Sequence, residues 1–304
     1  MPNSARLACG CCVFLVFAVI PSSAGEDIKP KFVLQKSHIF GLSISPDGKM
    51  LAIGSEDDRV TLFDLEQGKE IRFLGGLATS YGDIRVAFSP DGKTVATIGK
   101  GSWRNKIVLF PVAKDEKPIV LDGKKTWIDE KTPDRKYHLT LKFDKSLEAE
   151  YFNTMKPPLF SPDGKHLARV LASTRAEGEF IRVSFFVWDI VNRKPVSDHA
   201  EHEKWIRAAH YAVPAELKDK LGLAREPPAA VSADNSLLAV STFNISAKTG
   251  MLDVYDVASG KRILSLPQKE KVRAAFSPDG AVLATGGIRT PIHVWEMPKR
   301  KKKE

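Results

Sequence analysis

The most regular pattern in the chain is a polar turn followed by a short apolar segment. The turn reads Ser-Pro-Asp-Gly four times and Ser-Ala-Asp-Asn once, and the copies begin at Ser45, Ser89, Ser161, Ser277 and, for the variant copy, Ser232. Proline presets the first central dihedral of a tight turn, aspartate bonds its own backbone, and Gly or Asn takes the left-handed position. Each copy therefore predicts a hairpin turn, and we interpret its aspartate as structural rather than catalytic.

Two strands are predicted after each turn, and a third is predicted in most copies. The first is apolar with small residues, at Lys49 to Gly54, Lys93 to Gly99, Lys165 to Ala172, Ser236 to Thr242 and Ala281 to Gly286. The next ends in an aromatic residue, usually with an acidic neighbour, at 60–64, 107–110, 185–189, 252–256 and 292–296. A further short strand follows in most copies, as at 70–74 and 262–266. With the strand before the turn, a complete unit has four strands, which is typical of a β-propeller blade.

The units resemble WD40 repeats. Residues 54–64 follow the family pattern almost position by position, and Trp188-Asp189 is the Trp-Asp dipeptide itself. The resemblance covers most of residues 31–298 and implies an all-β propeller of four-stranded blades. No unit has the family's Gly-His dipeptide at the expected place, so the hydrogen-bonded tetrad built on that histidine is not carried over.

The spacing of the turns predicts five clear blades and one or two degenerate ones. Two intervals are 44 and 45 residues (89 − 45 and 277 − 232), whereas two are 72 and 71 residues (161 − 89 and 232 − 161). In the first long interval Thr132 to Lys136 resembles a decayed turn, which favours a degenerate blade over 125–153. In the second, residues 202–207 resemble the beginning of a first strand of a WD40 repeat.

The two ends of the repeat region are predicted to meet. The last unit stops at its third strand, and a strand-like stretch from Lys31 to Leu34 precedes the first unit. We expect this N-terminal strand to complete the last blade and close the ring, since that removes an open sheet edge.

The N-terminus predicts export. Arg6 gives a positive start, residues 9–20 are apolar or small, and residues 21–24 end on small residues, so we predict a signal peptide over 1–24 that is cleaved after Ala24. The apolar run is too short for a transmembrane helix of about 20 residues. The propeller then spans 25–298 and a basic tail spans 299–304, and the protein is secreted or periplasmic.

The longer insertions are predicted to lie on one face of the disc. In a four-stranded antiparallel blade with strands a to d, the b–c loops and the d–a connections share a face. All the insertions fall in these segments, with swollen b–c loops predicted at 100–105, 173–179 and 243–250. Insertions on one face of a repeat protein indicate its binding side. We predict a partner-binding surface of aromatic residues, Trp103, Trp127, Trp205, Tyr137 and Tyr211. The alternative is that the tryptophans pack inside degenerate blades or fold the loops onto the disc.

The sequence contains no catalytic motif that we can identify. The three cysteines all lie in the predicted signal peptide, and there is no nucleophile elbow, phosphate loop or dinucleotide fingerprint. His199 and His202 have a spacing that would suit a metal if the segment were helical, but an isolated polar loop is the commoner outcome. We expect no cofactor and no metal.

These observations predict a non-enzymatic, monomeric scaffold that binds an unknown protein partner. The formal net charge is +9, but the predicted export argues against a nucleic-acid target. The basic tail is interpreted as solvated, with weak contact to an anionic envelope surface as its alternative role. The rival functions are a lactonase- or dehydrogenase-like propeller enzyme that binds a metal or small molecule, and a structural envelope component anchored by the tail.

Overall fold

The fold is that of a computed structural model. It describes residues 29–36, 38–56, 59–76, 84–98, 106–122, 138–142, 157–177, 180–196, 202, 204–206, 228–244 and 246–298. The chain forms antiparallel sheets that succeed one another along the sequence, as the WD40-type prediction requires. No helix in these ranges is long and apolar enough to cross a membrane.

The strands fall into five blades, preceded by β1 (Phe32–Leu34). Blade 1 contains β2 (Ile39–Ile44), β3 (Met50–Ser55), β4 (Arg59–Asp64) and β5 (Lys69–Gly76). Blade 2 contains β6 (Arg85–Phe88), β7 (Thr94–Ile98), β8 (Lys106–Pro111) and β9 (Ile119–Asp122). Blade 3 contains β10 (His138–Lys142), β11 (Leu159–Phe160), β12 (His166–Glu177), β13 (Phe180–Asp189) and β14 (Lys194–Pro195). Blade 4 contains β15 (Pro228–Val231), β16 (Leu237–Asn244), β17 (Thr249–Asp256) and β18 (Arg262–Gln268), and blade 5 contains β19 (Arg273–Phe276), β20 (Val282–Gly286) and β21 (Ile292–Glu296).

The N-terminal strand completes the last blade. Phe32 of β1 pairs with Val294 of β21, and Leu34 pairs with Ile292. Leu34 is buried in a core cluster that also contains Phe63 of blade 1. This part of the prediction is confirmed, and closure of the whole ring stays a prediction.

All five predicted turns have one architecture. In the first, the Gly48 amide donates to the Ser45 carbonyl at 2.9 Å, and Gly48 adopts a left-handed φ of 72°. The buried Ser45 hydroxyl donates to Asp47 Oδ1 at 2.5 Å and accepts from the Met50 amide at 2.9 Å. The same serine-to-aspartate hydrogen bond recurs in the other four turns, so the motif recognised in the sequence is a hydrogen-bonded structural unit.

Apolar cores lie between neighbouring blades. Four clusters join blade 5 to blade 1, blade 1 to blade 2, blade 2 to blade 3 and blade 4 to blade 5. Side-chain hydroxyls also bridge the blades, since Ser43 of blade 1 accepts from the Phe88 amide and Ser241 of blade 4 accepts from the Val272 amide, both at 3.0 Å. Burial of short apolar strands on both blade faces explains why these strands read as continuous runs of Ala, Val, Leu and Ile.

The predicted degenerate blade over 125–153 is wrong in the part that the structure describes. His138 to Lys142 form β10, which pairs with residues 180–184 of β13 and belongs to the sheet of blade 3. The decayed turn at 132–136 lies outside the described residues. The described part of this interval therefore enlarges an existing blade, because the long β13 offers a strand edge beyond the body of the blade.

The second long interval also differs from its prediction. The backbone at His202 and at residues 204–206 is helical rather than extended. This helical turn follows β14, which has only two residues, and it buries Ile206 completely. The predicted first strand at 202–207 is therefore absent from the described part of that segment.

Candidate functional site

The two ends of each blade define two faces of the molecule. The face with the a–b and c–d turns is called the turn face, and the face with the b–c loops and the interblade connections is called the loop face. Among the described strands, the b and c strands of blade 3 are the longest, and they extend toward the loop face. Its b strand, β12, pairs with β11 only at Leu167 and Ala168, and then continues alongside β13 to Glu177. A register shift between Ala172 and Ala176 bends this hairpin.

Strand β10 adds a third strand to that hairpin. His138 pairs with Ser184 and Lys142 pairs with Phe180, so β10 lies along the loop-face half of β13. Part of the connection between blades 2 and 3 therefore pairs with the b–c hairpin of blade 3. We call this three-stranded structure the blade-3 projection (138–142, 169–177 and 180–184). Sequence reasoning missed this pairing, although the alternation His-Leu-Thr-Leu-Lys at 138–142 is a typical strand signal.

Blade 4 presents a second, smaller hairpin on the loop face. The sequence predicted a swollen loop at 243–250, but β16 and β17 stay paired out to Asn244 and Thr249. A tight turn joins them, with Asn244 Oδ1 accepting from the Ala247 amide at 2.9 Å and Lys248 in the left-handed region at φ 53°. The loop prediction is wrong because the side chain of Asn244 caps the turn and lets the hairpin close tightly.

Trp205 lies on the helical turn that follows blade 3. Its Nε1 donates to Nδ1 of His202 at 3.3 Å, and the imidazole of His202 lies 4.5 Å from that of His166, centroid to centroid. His166 is the first residue of β12 and pairs with Asp189, the last residue of β13, so it marks the turn-face end of blade 3. The half-buried indole of Trp205 packs beside His202, near the turn-face end of blade 3, and its predicted role in partner binding stays a prediction.

The other predicted partner-binding residues fall outside the described residues. These are Trp103, Trp127, Tyr137 and Tyr211, and His199 of the alternative metal site is also outside them. Their contribution to a binding surface stays a prediction. Within the described ranges, no group of three or more His, Cys, Asp or Glu side chains is arranged to hold a metal ion.

The carboxylates of the turn face are engaged in the turns. The hydroxyl of the turn serine lowers the pKa of Asp47, Asp91, Asp163 and Asp279 below the ordinary value, and in each case backbone amides hydrogen-bonded to the carboxylate lower it further. A carboxylate with a lowered pKa stays ionised near neutral pH and is a poor general acid or base there. These hydrogen bonds support a structural rather than a catalytic role for the four aspartates.

Blade 4 contains a polar network that the sequence did not indicate. Asp253 of β17 accepts from the Ser265 hydroxyl at 2.5 Å and lies 3.6 Å from the Arg262 guanidinium. Burial raises the pKa of the neighbouring Tyr255, and the Asp253 carboxylate raises it further. Asp253 thus pairs with both Ser265 and Arg262 across β17 and β18, as expected for cross-strand polar pairs that hold an outer strand in place.

Comparison with known proteins agrees with the fold. Residues 29–64 match the family model described as WD domain, G-beta repeat. The matched residues comprise β1 and the first three strands of blade 1, and the later four-stranded units are similar to WD40 repeats in their turn motif and strand order. WD40 propellers generally bind protein partners, and they are mostly non-enzymatic scaffolds.

Two solved structures resemble the chain over most of its length. The β-propeller domain of Cps50 (Swd1) from Myceliophteria thermophila is 15% identical with a TM-score of 0.47, over 89% of this chain and 100% of that one. Hydrazine synthase from Kuenenia stuttgartiensis is 16% identical with a TM-score of 0.34, over 86% of this chain. The chain spans 58% of that hydrazine synthase chain. At these levels of similarity neither structure informs the function of this protein.

Proposed function

We propose that this protein is an exported, non-enzymatic scaffold that binds a protein partner on its loop face. The blade-3 projection is the observation that carries the proposal. Two insertions that are distant in sequence pair there into one sheet, which extends past the short strand β11. Extended sheets that project from a rigid scaffold are suited to recognition of another protein, because they add surface without disturbing the blade core.

The polar groups of the blades support a non-enzymatic role. Each Ser–Asp turn contains a serine hydroxyl and an aspartate carboxylate, and these two groups are hydrogen-bonded to each other within the turn. The Ser265–Asp253 pair is similarly held next to Arg262 between two strands. Export is proposed from the N-terminal sequence alone, and it would be tested by determining whether the mature protein begins at Gly25.

A photo-crosslinking comparison tests the binding face. Ala247 and Ala258 are both exposed, and they flank the two ends of β17, so one lies on the loop face and the other on the turn face of the same blade. A photo-reactive amino acid is placed at each position in turn, and each variant is irradiated in cells that express the full chain with its N-terminal segment.

We expect one discrete crosslinked protein when the photo-reactive amino acid is at position 247, and no such product when it is at position 258. A partner captured only from position 258 would refute the loop-face assignment. Deletion of residues 172–183 removes the outer part of the blade-3 projection, and it should abolish capture from position 247. Unchanged capture by that folded variant would exclude the projection as the binding element.

A further inference from the structure

Blades 4 and 5 differ in charge at their two ends. At the loop face, the segments 246–249, 268–273 and 286–291 contain one carboxylate, Glu270, and five basic residues: Lys248, Lys269, Lys271, Arg273 and Arg289. The segments at the turn face, including the start of the N-terminal strand, contain four basic residues, Lys29, Lys31, Lys261 and Arg262, and four acidic residues, Asp234, Asp256, Asp279 and Glu296. The formal charge of these described segments is therefore +4 (5 − 1) at the loop face and zero (4 − 4) at the turn face.

The loop-face segments of blade 5 are held in place by hydrogen bonds. The Arg289 amide donates to Oε1 of Glu270 at 2.6 Å, which ties the b–c loop of blade 5 to the connection from blade 4. The absence of a side chain at Gly287 leaves room for this carboxylate, since an added Cβ atom would lie 2.4 Å from the same oxygen. The Ile288 carbonyl accepts from the His38 amide at 2.8 Å, which ties the loop to blade 1 as well. The loop is therefore ordered before any partner binds, and this lowers the entropic cost of binding.

An exposed apolar side chain lies among these basic residues. Ile288, in the b–c loop of blade 5, is 46% exposed. It precedes Arg289, and the loop lies against the connection that contains Lys269 and Lys271. Lys248 lies at the same end of blade 4, in the turn between β16 and β17. We call Ile288 and the five basic residues of the loop-face segments the basic sector.

We propose that the basic sector binds an acidic segment of the partner protein, with an apolar side chain of that segment against Ile288. This inference rests on the proposed function and specifies the chemistry of its partner. Basic side chains on a rigid surface attract and orient a partner of opposite charge. Ile288 favours a protein segment over a polyanion of sugars or phosphates, because such a polymer has no aliphatic side chain to bury there.

A synthetic peptide tests this inference on the full chain. The probe is Glu-Asp-Glu-X-Glu-Asp-Glu, in which X is photo-leucine, a photo-reactive analogue of leucine. After irradiation, the positions and yields of the adducts are measured by mass spectrometry. We expect adducts within residues 286–291, and their yield should fall about tenfold when the salt concentration rises from about 0.05 M to about 0.5 M. The adduct is scored rather than total binding, because residues 299–304 contain five further basic residues.

Two triple variants separate this surface from the net charge of the chain. The loop-face variant combines three substitutions: Lys269→Ser, Lys271→Ser and Arg289→Ser. The matched control replaces three exposed lysines of the turn face: Lys49→Ser, Lys93→Ser and Lys261→Ser. Both variants lower the formal net charge from +9 to +6 (9 − 3), and both retain residues 299–304. The adduct yield should fall about tenfold in the loop-face variant and stay within about twofold of wild type in the control. Thermal melting followed by circular dichroism establishes that both variants are folded.

Three results would overturn the inference. They are the absence of adducts within 286–291 in the wild-type protein, equal yields in the two triple variants, and an adduct that phosphatidylglycerol vesicles suppress more effectively than the unlabelled peptide does. The last result would indicate an anionic lipid surface as the ligand instead of a protein segment.

The crosslinking in cells tests the proposed function separately. If the loop-face variant still captures the partner from position 247, the loop-face assignment stands and the acidic-segment inference fails. If the wild-type protein captures no partner while the peptide adduct forms as expected, the proposed function fails and the basic sector remains a site for acidic peptides.

Discussion

Gly54 of β3 lies opposite Gly41 of β2, and the chain entering blade 2 packs directly against this pair. A Cβ atom on Gly54 would lie 2.4 Å from the carbonyl oxygen of Ile84 and 2.9 Å from its Cγ2. Ordinary contact begins near 3.4 Å, so the backbone at the start of blade 2 would have to move by about 1 Å. Gly54→Ala therefore tests whether the close approach of two blades depends on this glycine.

The expected loss of stability follows from two opposing effects. Overfilling a well-packed site costs about 1–3 kcal/mol. Alanine also restricts the unfolded chain, which returns about 0.4–1 kcal/mol. We expect Gly54→Ala to lower the free energy of unfolding by about 1.3 kcal/mol, which corresponds to roughly a 10-fold change in the ratio of folded to unfolded protein.

Gly286→Ala is the matched control. Gly286 follows the turn serine of blade 5 by nine residues (286 − 277), as Gly54 does in blade 1 (54 − 45). Its added Cβ would meet only side-chain atoms, of which the nearest is Cγ1 of Ile292 at 3.1 Å. Urea unfolding of both variants gives the comparison, and the control should lose less than about 1 kcal/mol. Equal losses in the two variants would refute the argument from the Ile84 carbonyl.

Three further predictions concern the turns and the N-terminal strand. Ser89→Ala should cost about 1–2 kcal/mol in urea unfolding, because it removes the acceptor of the Thr94 amide at 3.0 Å and the donor to Asp91; an unchanged midpoint would contradict this. The pKa of Asp91 is lowered in the folded protein, so ionised Asp91 stabilises the fold fully above the ordinary pKa of 3.8, and this stabilisation is lost as the pH falls through the lower folded value. At pH values below about 4 the midpoint of urea unfolding should therefore decrease, and it should decrease less steeply in Asp91→Asn. A chain that begins at Ser37 lacks β1 and should melt several degrees below one that begins at Gly25, since the edge of β21 is then uncovered; equal melting temperatures in calorimetry would show that β1 is dispensable.

The repeated units were predictable because their signals are local. A turn serine, its aspartate and a following Gly or Asn define a hairpin within six residues, and this information needs no knowledge of the rest of the fold. The pairing of β1 with β21 was also predictable, because an incomplete last unit leaves an edge that only one stretch of the sequence can fill.

The departures from prediction arose where a segment takes its structure from distant contacts. Strand β10 has a strand-like alternation, but its partner is the outer half of β13, and nothing in residues 138–142 specifies that choice. Trp205 was assigned to the loop face from its place in an insertion. Its actual position depends on the contact between His202 and His166, which lie 36 residues apart (202 − 166). Tertiary packing decided both cases.

The pairing of β1 with β21 has a consequence for the order in which the protein folds. Phe32 and Val294 are partners, so this contact closes a loop of 262 residues (294 − 32). Contacts of such high sequence separation carry a large loop-closure entropy and form late, whereas each blade hairpin is local and can form early. The N-terminal strand must therefore wait, extended and without its partner, until the final blade has been synthesised. During that interval β1 has no partner strand, and the nascent chain is exposed to aggregation and to the binding of chaperones.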